Sequence, residues 1–269
     1  MLIINGLPGE EISAADRGLL YGDGIFRTMR LSDRRIVHWA YHYRKLQQDC
    51  AALLLPCPEA RLLESEIEQL AWERPDGVVR LTLTRGVGPR GYAPPANAHP
   101  NRILSLSPLP ALNPEWAEQG VRLYLCELRL SAQPRLAGVK HLNRLENVLA
   151  AAEWNDPTIS EGLLRDEAGR VIGGVRSNLF CWRDGVLLTP DLSRCGVAGV
   201  QRQRILEWAL QSGQPLEVRD LMLDEILAAD EVFVCNSVFG LWPVRELAGR
   251  TWQSFLHTRA LSAALEAQP

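Results

Sequence analysis

The chain has 269 residues, of which 46% are hydrophobic and 23% charged, and its net charge is −3. This length accommodates one large domain or two smaller ones with substantial apolar cores. The small net charge predicts neither nucleic acid nor membrane as a partner. Since there is no apolar run of about 18 residues and no basic, then apolar, leader at the N-terminus, we expect a soluble cytoplasmic protein.

The six cysteines are scattered along the chain, and none belongs to a CxxC pair or a cluster with histidines. Zinc sites and disulfide frameworks both need such spacings. We therefore expect no metal site, and the cysteines in apolar runs are interpreted as small buried hydrophobes.

In the first half of the sequence, short extended segments precede two helices. The segments LIING and GIFRTMRLSDRRIVHW combine strand-forming residues with turn signals. From Trp39 to Leu55 the apolar spacing is that of a helix, and a second helix is predicted from Glu59 to Trp72. The strands VVRLTLTRG and RILSLSPL follow, separated by a loop rich in glycine and proline. The predicted apolar face of the first helix comprises Tyr43, Leu46, Cys50, Leu53 and Leu54.

A proline-rich stretch interrupts this pattern and predicts a domain boundary. Pro108, Pro110 and Pro114 make a stiff, extended connector. We therefore predict a domain at 1–108, a linker at 109–114 and a second domain at 115–269.

The second half mixes strands and helices without strict alternation. The predicted strands are VRLYLCELRL, the hairpin EGLLRD–RVIGGV, LFCWRDGVLLTP and EVFVCNS. The predicted helices are NRLENVLAAAEWN, QRQRILEWALQ, DLMLDEILA and one at the C-terminus. This arrangement favours an α+β fold over a doubly wound sheet.

Lys140 is the residue with the most distinctive setting. It lies in the apolar-flanked segment LAGVK, after a strand and just before a helix. Partial desolvation lowers the pKa of a lysine, as a Schiff-base lysine requires, although a helix-entry lysine on the surface is the commoner case. The glycine clusters of this chain match neither the dinucleotide-binding nor the P-loop spacing, and a GxSxG elbow is absent.

The segment LAGVKHLNRLENVLA closely resembles the lysine segment of aminodeoxychorismate lyases. These enzymes are a branch of the fold type IV enzymes that use pyridoxal 5′-phosphate (PLP), alongside branched-chain and D-amino-acid aminotransferases. The resemblance extends over almost the whole chain, through DRGLLYGDGIFRTMR, LTLTRGVGPRGY, SNLF, LLTPDLSRCGVAGVQRQRI and ADEVFVCNSVFG. It implies a smaller N-terminal α/β domain, a larger mixed C-terminal domain that carries the lysine, and a homodimer.

The resemblance also implies a set of site residues. Lys140 would carry PLP and move protons, with Thr28 beside it. Arg44 would bind the cofactor phosphate in a bidentate manner, Gly199 and Val200 would offer it backbone N–H groups at a helix N-terminus, and Ser237 would add a hydroxyl. Residues for the two carboxylates of the small-molecule substrate would be Arg90, Tyr92 and Thr28.

One position departs from the pattern of this fold. The glutamate that usually faces the pyridine nitrogen of PLP is replaced here by Gly173. We expect a carboxylate from the neighbouring strand instead, with Glu161 roughly opposite residues 173–174 in the predicted hairpin and Glu153 as a weaker candidate.

The implied activity is conversion of 4-amino-4-deoxychorismate to 4-aminobenzoate and pyruvate in folate biosynthesis. Two alternatives remain open at this point. One is an aminotransferase for branched-chain or D-amino acids, which would share the lysine and the phosphate site. The other is a PLP-binding protein without catalysis, which the loss of the glutamate at Gly173 favours.

Overall fold

The protein is described by a computed structural model that covers residues 2–267. The chain folds into two compact units, and each is described by itself. The first contains the residues up to Ala111 together with Val139–Asn143, and the second contains Leu112–Gly138 and the residues from Arg144 onward. Within 2–267, none of the helices has both the length and the apolar character that a membrane span requires.

The first unit is a six-stranded antiparallel sheet with helices against one face. The sheet order is β2-β1-β6-β5-β3-β4. The strands are β1 (Leu2–Ile4), β2 (Leu7–Pro8), β3 (Gly24–Ser32), β4 (Arg35–Ile36), β5 (Gly77–Thr84) and β6 (Asn101–Ser107). The helices are α1 (Arg17–Tyr21), α2 (Trp39–Ala52) and α3 (Ala60–Glu73).

The two-residue period of β3 separates the faces of this sheet. Ile25, Met29 and Leu31 are buried in a core with Leu46 of α2 and Leu63 of α3. Phe26, Thr28 and Arg30 point to the opposite face, because successive side chains alternate along a strand.

The second unit is built on a nine-stranded mixed sheet. Its order is β12-β11-β10-β13-β14-β7-β8-β9, with β15 paired to β14. The strands are β7 (Val121–Leu130), β8 (Ile159–Asp166), β9 (Val171–Gly174), β10 (Asn178–Arg183), β11 (Val186–Pro190), β12 (Leu216–Arg219), β13 (Glu231–Asn236), β14 (Gly240–Leu247) and β15 (Arg250–Thr251). The helices are α4 (Glu115–Gln119), α5 (Leu145–Ala151), α6 (Val200–Ser212), α7 (Leu223–Leu227) and α8 (Leu256–Glu266).

Strand β13 is covered on both faces, which explains its continuous apolar sequence. Val232 and Val234 belong to one core cluster, whereas Phe233 and Cys235 belong to another with Ile205 of α6.

Several sequence predictions need correction. The segment LFCWRDGVLLTP is a hairpin of two strands and not one strand. It turns at Asp184 and Gly185, whose φ angles are 51° and 77°, as a tight hairpin turn requires.

Helix α2 ends at Ala52, earlier than the predicted Leu55. Leu54 has a left-handed φ of 52° and is 76% exposed, so Leu54 does not belong to the apolar face of the helix. Strands β12 and β14 and helix α1 were not predicted.

The structure also changes the domain assignment of the lysine. Residues 139–143 belong to the first unit, although the sequence placed Lys140 in the C-terminal domain. The reason is backbone pairing with β3. The Phe26 N–H donates to the Lys140 carbonyl at 3.0 Å, Ile25 bridges His141, and the Leu142 N–H donates to the Gly24 carbonyl at 3.0 Å.

Candidate active site

Lys140 is fixed in the first unit from both sides of its peptide. Its carbonyl accepts from β3, and its own N–H donates to Asp49 Oδ2 on α2 at 3.1 Å. The Lys140 Nζ lies 4.4 Å from the centroid of the Phe26 ring. A cation over an aromatic face is attracted by the ring quadrupole, so Phe26 orients the amine as well as holding the backbone.

Asp49 is the centre of a buried charge cluster. Its side chain is 1% exposed, and the carboxylate forms ion pairs with Arg27 and Lys45 besides accepting from the Lys140 backbone. Burial lowers the pKa of Arg27 to about 10. Burial, together with the neighbouring charges of Arg27 and Lys140, lowers the pKa of Lys45 to about 7, while the contact with Asp49 acts in the opposite direction.

Phe26 and Thr28 point to the same face of the sheet, because they are two residues apart on β3. Thr28 is therefore on the face that carries the Lys140 amine. Arg80 of β5 pairs directly with Thr28, and its guanidinium lies 4.3 Å from the Phe26 ring centroid. Sequence reasoning missed Arg80, although the alternation in VVRLTLT placed it on the polar face.

Arg44 and Lys45 occupy different sides of α2. Arg44 is exposed, and its guanidinium lies 5.3 Å from the Tyr41 ring centroid. The Lys45 side chain is only 15% exposed and is close enough to Lys140 for their charges to interact. The helix therefore places Lys45 close to the amine.

The loop with the predicted substrate residues is held by Arg17 of α1. Arg17 donates to the carbonyls of Gly91 and Tyr92 at 2.8 and 2.9 Å, and its Nε donates to Asp23 at 2.9 Å. Arg90 is exposed, and Tyr92 is 87% exposed. The backbone of this loop is thus anchored while the two predicted substrate side chains extend into solvent. The motif DRGLLYGDG contained Arg17, but nothing in it predicted this contact.

In the second unit, Glu161 is a buried carboxylate surrounded by donors. It is 1% exposed and accepts from the Ser177 hydroxyl at 2.8 Å and from the Gly162 N–H at 3.0 Å. Burial raises the pKa of Glu161, against the opposing effects of Arg176 and these hydrogen bonds.

The register of the hairpin differs from the prediction. Leu163 and Leu164, and not Glu161, lie directly opposite Gly174 and Gly173. The side chain of Glu161 nevertheless reaches over Gly174, since a Cβ there would lie 2.9 Å from the Glu161 Cδ. A residue larger than glycine at 174 would therefore displace Glu161. The weaker candidate, Glu153, accepts from the backbone N–H groups of Glu127 and Leu128 at 2.6 and 2.9 Å.

The predicted phosphate residues of the second unit lie at the start of α6 and after β13. Among the described residues, no side chain caps α6, so its first N–H groups, beginning with Val200, are suited to an anion. Gly199 needs a correction, since its N–H donates to Asn178 Oδ1 at 3.0 Å. A Cβ at Gly199 would lie 2.4 Å from that oxygen, so close packing requires glycine at this position.

Ser237 is half-buried and lies in a turn that Asn236 organises. The Asn236 side-chain oxygen accepts from the N–H groups of Val238 and Phe239 at 2.9 and 3.0 Å. This turn fixes the backbone on either side of the Ser237 hydroxyl.

Each unit, considered by itself, carries groups whose chemistry suits a phosphorylated aldehyde such as PLP. A partly buried amine that can form an imine is present in Lys140. An uncapped helix N-terminus and a hydroxyl suit a phosphate, and a buried carboxylate suits a protonated ring nitrogen.

Comparisons with known proteins agree with this chemistry. The family described as Amino-transferase class IV matches residues 24–247. A 4-amino-4-deoxychorismate lyase from Pseudomonas aeruginosa, known from its crystal structure, is 47% identical, with 100% of this chain and 99% of that chain covered and a TM-score of 0.95. An aminodeoxychorismate lyase from Vibrio harveyi is 36% identical over 91% of this chain and 90% of its own length. A putative branched-chain-amino-acid aminotransferase from Methanocaldococcus jannaschii is 30% identical over 89% of this chain and 84% of its own.

Proposed function

The chain belongs to the amino-transferase class IV family, and we propose that within it the protein is a lyase that converts 4-amino-4-deoxychorismate to 4-aminobenzoate and pyruvate. This reaction places it in folate biosynthesis. The observation that carries the proposal is the setting of Lys140, anchored between β3 and Asp49 with its amine over Phe26, in a chain similar to lyases over its full length.

The cofactor is PLP, which supplies an electron sink for the bond-breaking step. With PLP bound, Lys140 would hold the cofactor through Nζ. The same Nζ would remove the proton from the amine-bearing carbon of the substrate and return a proton to the departing three-carbon unit. Loss of that unit makes the six-membered ring aromatic, which provides driving force.

The cofactor phosphate is bound by the N–H groups that begin α6, with Val200 first, and by the Ser237 hydroxyl. Arg44 is the cation that the family resemblance implied. Its guanidinium is exposed on α2, and an arginine can bind a phosphate through two parallel hydrogen bonds.

The substrate carries two carboxylates, and the first unit offers cations and hydroxyls for them. Thr28 and Arg80 lie side by side on the face that carries the Lys140 amine, so they are the substrate-binding pair nearer to that amine. Arg90 and Tyr92 lie on the loop that Arg17 anchors and form the second substrate-binding pair, farther from the amine. Arginine suits this role because it binds a carboxylate through two parallel hydrogen bonds.

Glu161 is the carboxylate for the ring nitrogen of PLP. Three observations support this role. The Glu161 side chain is buried, it accepts hydrogen bonds from the Ser177 hydroxyl and the Gly162 N–H, and it passes close over Gly174. An unpaired positive charge in a dry site is costly, so a protonated ring nitrogen needs a carboxylate within hydrogen-bonding reach.

Assembly as a homodimer in the cytoplasm completes the proposal. On α5, Leu145, Val148 and Leu149 share one face and are 75%, 60% and 60% exposed. On α1, Leu19 and Leu20 are also exposed. Such apolar patches mark interaction surfaces. The six cysteines are free thiols, which suits a reducing compartment.

The test is to incubate the PLP-loaded protein with 4-amino-4-deoxychorismate and to measure pyruvate and 4-aminobenzoate. Equal amounts of both products support the proposal. Because a putative aminotransferase is also similar, the same preparation is mixed with D-alanine or L-leucine while its absorbance is followed. Full conversion of the cofactor to its amine form by either amino acid, without formation of pyruvate from the chorismate derivative, would instead assign an aminotransferase.

A further inference from the structure

The turn that leads into α6 is held in place by the side chain of Asn178. This asparagine is the first residue of β10 and is 8% exposed. Its Nδ2 donates to the Val197 carbonyl at 2.7 Å, and its Oδ1 accepts from the Gly199 N–H at 3.0 Å. A carboxamide carries a donor and an acceptor side by side, so one side chain satisfies two backbone groups of the turn.

The same turn has a second partner in Gly138. The Gly138 N–H donates to the Gly196 carbonyl, and the Gly138 carbonyl accepts from the Ala198 N–H, both at 3.0 Å. Residues 196 and 198 thus pair with Gly138, while residues 197 and 199 pair with Asn178. The backbone of the turn is therefore fixed immediately before the helix begins.

The position of this turn matters because the Val200 N–H follows it directly. Gly199 is the N-cap of α6, with φ −75° and ψ 156°, and Val200 is the first residue of the helix. The hydrogen bond to Asn178 fixes the Gly199 N–H, and the dihedral angles of Gly199 then set the direction of the Val200 N–H. Asn178 therefore orients the donor with which the proposed phosphate site begins.

Asn178 is also linked to the segment that carries the second proposed phosphate group, the Ser237 hydroxyl. Strand β10 pairs with β13 so that Asn178 lies opposite Cys235. Ser237 follows Cys235 by two positions, in the turn that Asn236 organises. Asn178 is thus joined to the start of α6 by its side chain and to the end of β13 by its backbone.

We propose that Asn178 is a positioning residue for the cofactor phosphate, and that it sets how strongly the protein prefers PLP over the unphosphorylated aldehyde, pyridoxal. It acts through the backbone of the turn, because its carboxamide is engaged with Val197 and Gly199. A donor that is already oriented binds an anion without the cost of being ordered on binding. The proposal rests on the phosphate site proposed above at the start of α6.

The experiment measures the affinity of the full chain for two ligands that differ only in the phosphate. The cofactor is removed, and the protein is titrated with PLP and separately with pyridoxal while the absorbance of the bound ligand is followed. The ratio of the Kd for pyridoxal to the Kd for PLP isolates the contribution of the phosphate, because the two ligands share the ring and the aldehyde.

In Asn178→Ala this ratio should fall roughly tenfold, because the Val200 N–H is no longer oriented before the phosphate binds. The Kd for pyridoxal should stay at the wild-type value. Asn178→Ser is measured beside it as a smaller change, since its side chain is too short to reach both Val197 and Gly199, and it should shift the ratio in the same direction. Circular dichroism compares the folding of both variants with that of the wild type.

Thr189→Val is the matched control. Thr189 lies on β11, is fully buried, and donates from its hydroxyl to the Leu179 carbonyl at 2.8 Å. The substitution removes a buried hydrogen bond between a side chain and the backbone in the same sheet, but it leaves the turn at 196–199 with both of its partners. The ratio of the two Kd values should therefore equal that of the wild type.

Wild-type ratios in both Asn178 variants would overturn the proposal. Equal losses of affinity for PLP and pyridoxal would also overturn it, because they indicate a purely structural role. Both outcomes would leave the proposed phosphate site standing. A wild type that binds PLP no more tightly than pyridoxal would instead overturn the phosphate site, and the role of Asn178 with it.

Discussion

Asp49 accepts a hydrogen bond from the backbone N–H of Lys140 at 3.1 Å, although the two residues are 91 positions apart in the sequence. The same carboxylate balances the charges of Arg27 and Lys45. One buried acid thus ties helix α2 to the lysine segment and offsets the positive charge gathered around it.

Replacing this acid by its amide should destabilise the protein. In Asp49→Asn the side chain can still accept from Lys140, but Arg27 and Lys45 lose their counter-charge in a buried setting. We expect the free energy of unfolding to fall by about 3 kcal/mol, the cost of leaving a buried ion without its partner. Urea denaturation measures the change. The exposed Asp184→Asn is the control and should change the value by less than about 0.5 kcal/mol.

The lysine assignment predicts the site of the cofactor adduct. Borohydride reduction of the PLP-loaded protein should fix the cofactor to the peptide that contains Lys140. Lys140→Ala should lose the adduct and reduce turnover on the order of 10³-fold or more, because the nucleophile and the proton carrier disappear together. Peptide mapping decides the matter. An adduct on Lys45, whose pKa is lowered to about 7, would contradict the assignment.

Glu161→Gln tests the carboxylate proposed for the ring nitrogen. The variant should keep PLP bound through Lys140 and the phosphate residues, yet turn over more slowly, because an amide cannot balance a protonated nitrogen. Glu167→Gln, exposed at the turn of the same hairpin, is the control. A PLP-bound crystal structure with water at the ring nitrogen and Glu161 turned away from it would end this proposal.

The raised pKa of Glu161 also predicts a pH dependence of stability. Because burial raises this pKa above its usual value of 4.5, the folded protein holds the proton more tightly than the unfolded chain does. This contribution to stability is present at low pH and is lost as the pH rises from the usual value through the raised one. The Tm of the wild type relative to Glu161→Gln should therefore fall as the pH rises above about 4.5. A constant difference across that range would contradict the assigned direction.

Arg17 should act on the reaction by positioning the loop that carries Arg90 and Tyr92. Arg17→Lys keeps a charge beside Asp23 but cannot reach both carbonyls of Gly91 and Tyr92. We expect kcat/KM to fall roughly tenfold, while the absorbance of bound PLP stays unchanged. Initial rates measure the effect, with Arg30→Lys, an exposed change on β3, as the control. Unchanged kinetics would show that the loop does not need this anchor.

The exposed face of α5 predicts the assembly. Light scattering at micromolar concentration should give twice the 30.0 kDa mass of the chain. Leu149→Glu should shift the protein toward the single-chain mass, because it places a charge in an apolar interface. Leu210→Glu, at an 83% exposed position on α6, should leave the mass unchanged. A single-chain mass for the wild type would rule out the dimer.

The sequence alone determined the elements with strong local periodicity and the identity of the candidate lysine. The apolar spacing of residues 39–52 and the two-residue alternation of β3 are local signals, because side-chain direction follows from backbone geometry within a few residues. The segment LAGVKHLNRLENVLA likewise identified Lys140 without a structure.

Tertiary structure alone decided which residues surround that lysine. The pairing of residues 139–143 with β3 moved Lys140 into the first unit, and the packing of α2 placed Lys45 and Asp49 next to it. The hairpin register put two leucines, and not Glu161, opposite the paired glycines. Such contacts join segments far apart in the chain, so they depend on strand pairing and helix packing that no local pattern encodes.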